Sequence, residues 1–304
     1  MADHLSWSAV WQDFIARHLG APISESEVLA PRIWRVQGPR GQAVLKLCSS
    51  ARAYSQECEA HDRWADRYCD TRDLSLARIL GRTDFGEGEG ALSQRALLFE
   101  WVPGRALTDE MAHNEEFFRR AGRALSILHN KFNLPQGTAL VNDLDLAEAL
   151  EARAESLRDF VCASEAAAET KKQLLSWLEN WSSFRGRPRV FCHRDYEPRN
   201  WILDLEGRFW VVDFEHARFD DWLSDLLRLR EGIFFERPKI EAAFLAGHGK
   251  DLAGDDLLCL RRWEILHALQ TISWAQRYGD SRFERRAYRL LNARLKADGL
   301  PAFG

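Results

Sequence analysis

The sequence predicts an α+β protein that divides into a small N-terminal lobe, residues 1-102, built around a β-sheet, and a larger, mainly helical C-terminal lobe, residues 103-304. Three observations predict this division. Short β-prone apolar runs, such as 43–47 and 96–104, occur in the first part of the chain. Apolar residues at helical spacing follow in the remainder. The length of 304 residues is enough for two substantial cores.

A lysine lies inside the strand-like run 43–47, which reads Ala-Val-Leu-Lys-Leu. An ammonium group in apolar surroundings is costly unless it meets negative charge, which phosphates or a carboxylate would supply. The helical stretch that follows carries Glu57, the predicted ion-pair partner of Lys46, with Glu59 as the second choice. The alternative interpretation is that Lys46 lies on an exposed sheet edge and points to water.

A second strand-like run precedes a cluster of polar residues. Val190-Phe191-Cys192 is apolar and is typical of a buried strand, and it leads His193 and Asp195 into a loop that Pro198 closes. We therefore expect Asp195 to lie on a loop that a strand positions.

Two further β-prone runs, 201–203 and 209–212, flank a polar stretch with Glu206-Gly207 and predict a β-hairpin. A two-residue turn centred there places Asn200 opposite Asp213, with Cβ atoms about 4.5–5.5 Å apart. An amide oxygen and a carboxylate at that distance suit one Mg²⁺ ion, so both residues are candidate metal ligands. A longer loop would shift this register, and an ordinary surface hairpin is the alternative.

The C-terminal lobe is predicted to be helical in three regions. Apolar residues between Asn114 and Asn130 recur at the spacing of a helix with one buried face. Region 146–184 is rich in Ala, Glu and Leu, and region 257–295 carries Trp263 and Trp274 among its apolar positions. These tryptophans are predicted to pack inside the lobe.

Composition and charge exclude several classes of protein. The chain is 46% hydrophobic and 29% charged, which is typical of a globular protein, and its net charge of -4 disfavours nucleic-acid binding. The opening residues lack the pattern of a secretory signal, and no segment has the roughly 18 apolar residues of a membrane span. The six cysteines have no metal-binding spacing, so reduced thiols are expected. We expect a cytoplasmic protein that binds neither nucleic acid nor membranes, and the sequence leaves its oligomeric state open.

The order of motifs in the C-terminal half carries a family resemblance. The segment from His193 to Asn200 reads H-R-D-x-x-x-x-N, the pattern of protein-kinase catalytic loops, and Asp213-Phe214-Glu215 follows as a D-F-x triplet. Glu215 stands where protein kinases have Gly, no A-P-E motif follows, and Asp225-Leu226 comes next. In these features the chain resembles the aminoglycoside phosphotransferase and choline kinase family, whose members share a protein-kinase-like fold and act on small molecules.

The resemblance implies a bilobal protein-kinase-like fold and phosphoryl transfer from ATP or GTP, with Mg²⁺, to a hydroxyl group of a small-molecule acceptor. Asp195 is then the catalytic residue that orients the acceptor hydroxyl and takes its proton. Asn200 and Asp213 bind the metal ion. Lys46, held by Glu57, steadies the phosphates.

The resemblance also identifies segment 96–104 as the hinge that binds the purine. The carbonyl of Glu100 and the amide of Val102 are the candidate contacts. One element departs from the family's pattern, because segment 29–34, which precedes Lys46 and is expected to cover the phosphates, contains no glycine. Arg32 or main-chain amides are then the candidates for binding the phosphates.

Several acceptors and two other functions stay open. The first candidate for the acceptor is an aminoglycoside or another antibiotic or natural product, whose phosphorylation would serve resistance or self-protection. The alternative acceptors are a sugar, a nucleoside-like compound, choline or an amino alcohol. The alternative to core packing of the tryptophans is an acceptor pocket that is lined by Trp263, Glu264 or Trp274. The rivals of another class are a protein kinase, disfavoured by the missing A-P-E motif, and a nucleotide-binding pseudokinase, disfavoured by the full set of candidate residues.

Overall fold

The computed structural model describes residues 9–68, 71–85, 94–106, 113–131, 146–179 and 181–304. They form two compact units, one from the described residues of Met1–Thr108 and Pro198–Ala217 and one from those of Asp109–Glu197 and Arg218–Gly304. The first unit includes residues 198–217, which the predicted division at residue 102 assigned to the C-terminal lobe. That division remains a prediction.

The described strands and helices follow one another along the chain as follows. The strands are β1 Glu25–Ala30, β2 Ile33–Gly38, β3 Gly41–Leu47, β4 Ser75–Leu76, β5 Ile79–Phe85, β6 Gln94–Glu100, β7 Gly104–Ala106, β8 Val190–Cys192, β9 Trp201–Asp204, β10 Phe209–Val211 and β11 Arg218–Asp220. The helices are α1 Ala9–Leu19, α2 Ala51–Tyr68, α3 Glu115–Lys131, α4 Leu146–Ala163, α5 Ala168–Glu179, α6 Leu227–Gly232, α7 Pro238–His248, α8 Asp255–Tyr278 and α9 Ser281–Ala297. The predicted α+β class is confirmed.

The first unit contains a five-stranded antiparallel sheet with the strand order β1-β2-β3-β6-β5. Helix α1 covers this sheet, because Phe14, Ile15 and Leu19 pack in one buried cluster with residues of β2, β3 and β6. A second sheet has the order β4-β10-β9-β7, with β4 parallel to β10. The central strand β3 carries Lys46, so the lysine is not on a sheet edge.

Helix α2 follows β3 directly and begins at a serine cap. Ser50 Oγ accepts a hydrogen bond from the amide of Ala53 at 3.1 Å, which satisfies one of the amides that a helix N-terminus leaves without an intrahelical partner. Helix α2 buries one face, which includes Ala53, Ala60 and His61. That face carries Glu57, whose relative exposure is 1%.

The second unit contains the remaining helices and the two-stranded sheet of β8 and β11. Helix α3 begins at Asn114, whose Oδ1 accepts from the amide of Phe117 at 3.0 Å. The predicted helical region 146–184 divides into α4 and α5, and the hydroxyl of Ser164 donates to the carbonyl of Val161 where α4 ends. Within the described ranges, no helix has the length and apolarity to cross a bilayer.

Two glycines allow α3 and α7 to pack backbone against backbone. A Cβ on Gly247 would lie 1.8 Å from the carbonyl oxygen of Arg119, and a Cβ on Gly122 would lie 2.0 Å from that of Phe244. Only glycine fits at these contacts, because the neighbouring atoms belong to rigid helix backbone.

Replacing Gly247 by alanine is therefore expected to destabilise the protein by about 1–3 kcal/mol or more, since the helices must separate to admit the methyl group. Urea unfolding measures this loss. The matched control is Gly232→Ala in α6, where the new Cβ meets only the guanidinium of Arg286, at 3.5 Å. Equal stability of the two variants would contradict the close approach.

Candidate active site

Lys46 and three carboxylates form a charge cluster in the first unit. The Lys46 Nζ donates to Glu57 Oε2 at 2.6 Å and to Asp213 Oδ1 at 2.5 Å, and lies 3.5 Å from Glu215 Oε2. The structure thus brings together three of the residues singled out in the sequence, in a cluster that buries all but 8% of the Lys46 side chain. Their roles towards a nucleotide remain predictions.

The charges of this cluster stabilise one another. Burial alone would lower the pKa of Lys46, but the negative charges of Glu57, Asp213 and Glu215 outweigh it and raise that pKa above its ordinary value. Burial alone would raise the pKa of Glu57, but the charge of Lys46 and the contact with His61 hold it below its ordinary value. Glu57 therefore contributes stability that is fully present above its unfolded-state pKa and is lost as the pH falls from there through its lower folded-state pKa.

Glu57 also connects α2 to the D-F-x triplet. Its Oε1 accepts a hydrogen bond from the amide of Phe214 at 3.0 Å, and His61, one turn further along α2, places Nε2 3.6 Å from the same oxygen. Asp213 itself has a φ of 71°, in the left-handed region that few residues other than glycine, asparagine and aspartate adopt. The backbone conformation of Asp213 and the hydrogen bond from Lys46 therefore both fix the position of the Asp213 carboxylate.

The register predicted for the β9–β10 hairpin is wrong by one residue. Val211 pairs with Trp201 and Phe209 with Leu203, so the position opposite Asn200 is that of Val212, whose amide donates to the Asn200 carbonyl at 3.0 Å. The reason is the loop, which has three residues between Asp204 and Arg208 and not two.

Gly207, with a φ of 75°, provides the left-handed position that such a three-residue loop requires. Asp213 therefore follows the position opposite Asn200 by one residue. The two side chains still come from adjoining ends of one hairpin.

Asn200 and Asp213 suit magnesium by their chemistry. Both offer oxygen atoms, which hard divalent cations prefer, and Asp213 adds the negative charge that a metal site needs. The Asn200 side chain is buried, whereas the Asp213 side chain keeps 28% of its surface exposed. The assignment of the metal ligands remains a prediction.

The loop that carries Asp195 is organised by Asp225 in the second unit. The carboxylate of Asp225 accepts from the amides of His193, at 3.1 Å, and Arg194, and from His129 Nε2 at 2.8 Å. Arg194 has a φ of 66°, a strained conformation for an arginine that the hydrogen bond to Asp225 holds in place.

His193 supports the same loop from within. Its Nδ1 accepts from the amide of Asp195 at 3.3 Å, and its ring packs edge-on against the ring of Tyr196. The side chain of Asp195 is 5% exposed, and Nε of Arg228 lies 3.6 Å from its Oδ1. Sequence reasoning missed Arg228, since nothing in the motif indicates a contact with α6.

Replacing Asp225 by asparagine is expected to destabilise the second unit, because the new amide group cannot accept every hydrogen bond that the carboxylate accepts. Each buried donor left unsatisfied costs about 1–3 kcal/mol. Denaturant unfolding checks this loss. Asp280→Asn is the matched control, since Asp280 caps α9 by accepting from Arg282 and Phe283 and asparagine caps helices equally well. An effect of Asp225→Asn no larger than that of the control would contradict the role of Asp225.

The hinge candidates lie at the end of β6. The Glu100 amide donates to the carbonyl of Arg78 at 2.9 Å, and the Glu100 carboxylate accepts from the Arg78 amide and side chain. The Val102 side chain is buried in a cluster with Ala77, Leu97 and Phe99. The contacts fix this segment, while purine binding by the Glu100 carbonyl and the Val102 amide remains a prediction.

The glycine-free segment ahead of Lys46 is a tight connection between β1 and β2. Arg32 occupies it with a φ of 65°, and its carbonyl accepts from the amide of Leu47 at 2.9 Å. This hydrogen bond connects the turn to the strand that carries Lys46. Asp195 belongs to the second unit and Lys46, Asn200 and Asp213 to the first, and their convergence on one nucleotide remains a prediction.

The sequence is similar to known phosphotransferases. Residues 25–263 match the phosphotransferase enzyme family, APH. Ethanolamine kinase 2 of Mus musculus is 26% identical over 195 residues, which are 60% of this chain and 46% of the kinase. The chain therefore spans less than half of the length of that relative.

The structure is similar to those of two small-molecule kinases. A thermostable mutant of aminoglycoside phosphotransferase APH(4)-Ia, in a ternary complex with ADP and hygromycin B, superposes with a TM-score of 0.67 at 18% identity, over 94% of this chain and 98% of that one. Choline kinase LicA from Streptococcus pneumoniae gives 0.62 at 16% identity, over 93% and 98%. These likenesses confirm the predicted kinase-like fold. With the match over residues 25–263, the chain belongs to the phosphotransferase enzyme family.

Proposed function

We propose that the protein transfers the terminal phosphoryl group of ATP or GTP to a hydroxyl group of a small molecule. The observation that carries the proposal is the buried ammonium of Lys46, held by Glu57 and Asp213. A buried cation on a central strand, fixed between two carboxylates, is what a phosphate-binding lysine requires. Membership of the phosphotransferase family supports the same reaction.

In the proposed reaction the acceptor oxygen forms a bond to the terminal phosphorus while the bond from that phosphorus to the bridging oxygen breaks. The nucleoside diphosphate leaves. Asp195 orients the acceptor hydroxyl and receives its proton. Lys46 holds the phosphates, Asn200 and Asp213 would hold Mg²⁺, and the bound ion would neutralise the charge that develops on the phosphates.

The acceptor is proposed to be an aminoglycoside or another hydroxylated antibiotic or natural product. The likeness to an aminoglycoside phosphotransferase in complex with hygromycin B supports this choice. A specific observation favours a second candidate, choline or another amino alcohol. The sequence match to ethanolamine kinase 2 and the likeness to choline kinase LicA support it equally.

A screen for nucleotide consumption tests the proposal. The purified protein is incubated with MgATP or MgGTP and one of a panel that includes hygromycin B, kanamycin, ethanolamine, choline and simple sugars. We expect one compound to accelerate release of the diphosphate and to gain one phosphate in its mass. Labelling of proteins in place of small molecules would favour a protein kinase, and binding of nucleotide without any turnover would favour a pseudokinase.

The oligomeric state is open, and cytoplasmic location remains a prediction. Size-exclusion chromatography of the purified protein measures the oligomeric state directly.

A further inference from the structure

The carboxylate proposed to orient the acceptor has a cation beside it that the family motif does not include. Arg228 of α6 places Nε 3.6 Å from Oδ1 of Asp195, and the two side chains are 24% and 5% exposed. At this distance the contact is an ion pair and not a hydrogen bond. Because most of the pair is shielded from water, the attraction is weakened less than in a surface ion pair.

Two further contacts fix the guanidinium of Arg228. Its Nη1 donates to Glu231 Oε2 at 3.1 Å, one turn further along α6. Its central carbon lies 5.0 Å from the ring centroid of Phe283, in the geometry of a cation–π interaction with α9. Arg228 therefore reaches Asp195 from a position that Glu231 on α6 and Phe283 on α9 define.

Glu231 is itself held as a carboxylate. It is buried, and His267 Nε2 of α8 lies 3.2 Å from the oxygen that also accepts from Arg228. Burial alone would raise the pKa of Glu231, but the hydrogen bond and charge of His267 and the charge of Arg228 outweigh it, so the pKa lies below its ordinary value. The series Asp195, Arg228, Glu231 and His267 thus alternates acidic and basic side chains from the loop after β8 through α6 to α8.

We propose that Arg228 is a positioning residue that fixes the orientation of the Asp195 carboxylate, with Glu231 and His267 holding Arg228 in turn. The consequence for the reaction rests on the proposed function. A carboxylate that must meet one hydroxyl group has to be oriented before the acceptor arrives, because a displacement of about 1 Å can cost 10²-fold in rate. A fixed guanidinium at 3.6 Å supplies this orientation.

The test compares Arg228→Gln with Arg228→Lys, using the acceptor that the screen identifies and MgATP. We expect Arg228→Gln to lower kcat by about 10–10²-fold, with the KM for MgATP changed by less than about twofold, because the interaction acts on the reacting groups and not on nucleotide binding. Arg228→Lys is expected to keep part of the rate, since it retains the charge without the planar guanidinium.

Chemical rescue separates orientation of Asp195 from a purely structural role. Guanidinium ion added to Arg228→Ala is expected to restore part of kcat, which a general loss of packing would not allow. The control is Arg158→Gln on α4, which removes a guanidinium that pairs with Glu155 and Glu179 on the surface. A kcat for Arg228→Gln as high as that of this control, or a loss confined to KM, would overturn the proposal.

Failure of the proposed function is distinguishable from failure of this inference. If the wild-type protein turns over no acceptor, the proposed function fails. The contact between Arg228 and Asp195 is then tested by the Tm values of Asp195→Asn, Arg228→Gln and the double variant. Shifts in Tm that do not add would support an orienting contact between the two side chains. Additive shifts would overturn it.

Discussion

Replacing Asp195 by asparagine is expected to lower kcat by about 10²–10⁴-fold, because a positioned proton acceptor contributes a factor of that size. Asparagine keeps the shape of the side chain and can still contact a hydroxyl group, but it cannot take up a proton at neutral pH. Since Asp195 lies outside the charge cluster of Lys46, binding of MgATP is expected to persist. Steady-state release of ADP with the identified acceptor measures the rate.

Two measurements keep this result interpretable. Thermal unfolding with and without MgATP shows whether the variant is folded and still binds nucleotide. Asp62→Asn is the matched control, since Asp62 is 58% exposed and pairs with Arg82 at the surface of the first unit. A rate for Asp195→Asn close to that of the control would remove the catalytic role assigned to Asp195.

The second large effect is expected at Lys46. Replacing Lys46 by methionine keeps an apolar side chain of similar length but leaves Glu57 buried without its cation. It also removes the positive charge between the carboxylates of Asp213 and Glu215, which then repel each other. Removing one partner of a buried ion pair costs about 3–5 kcal/mol. We therefore expect a loss of this size in the free energy of unfolding, together with loss of activity. Urea unfolding at neutral pH measures it.

A double variant and a surface control test the cause of that loss. Lys46→Met combined with Glu57→Gln is expected to be less destabilised than the two single losses added together, because the second change removes the uncompensated charge. Lys239→Met, at an exposed position of α7, is expected to leave stability within about 0.5 kcal/mol of the wild type. A loss at Lys46 no greater than at Lys239 would show that the cluster does not stabilise the fold.

Local patterns predicted the elements that carry the site. The apolar run before His193 forms β8, the run around Lys46 forms β3, and two β-prone runs form the β9–β10 hairpin. These predictions rest on periodicity and turn residues, which act over a few neighbouring positions. The pairing of Lys46 with Glu57 was also inferred locally, from the cost of an unpaired buried ammonium.

Features that depend on one extra residue or on tertiary packing were not predicted. The hairpin register differs by one because Leu205, Glu206 and Gly207 together form the loop, and a sequence does not distinguish a two-residue from a three-residue loop reliably. The break between α4 and α5 falls at Ser164 without glycine or proline nearby.

The contact of Arg228 with Asp195 was not predicted, because the two residues are far apart in the sequence and no helical or strand periodicity connects them. The same holds for Glu215, which was noted as a departure from the protein-kinase triplet but not as a neighbour of Lys46. Only the packing of separate elements brings these side chains together.

In the proposed reaction, Asp195, Asn200 and Asp213 surround one magnesium–nucleotide complex. A crystal structure with Mg²⁺ and a non-hydrolysable ATP analogue tests this arrangement. We expect oxygen atoms of Asn200 and Asp213 within about 2.0–2.1 Å of the metal ion, the ammonium of Lys46 at the phosphates, and the Asp195 carboxylate facing the terminal phosphate. A nucleotide bound away from Lys46, or Asp195 directed away from the terminal phosphate, would overturn the proposed site.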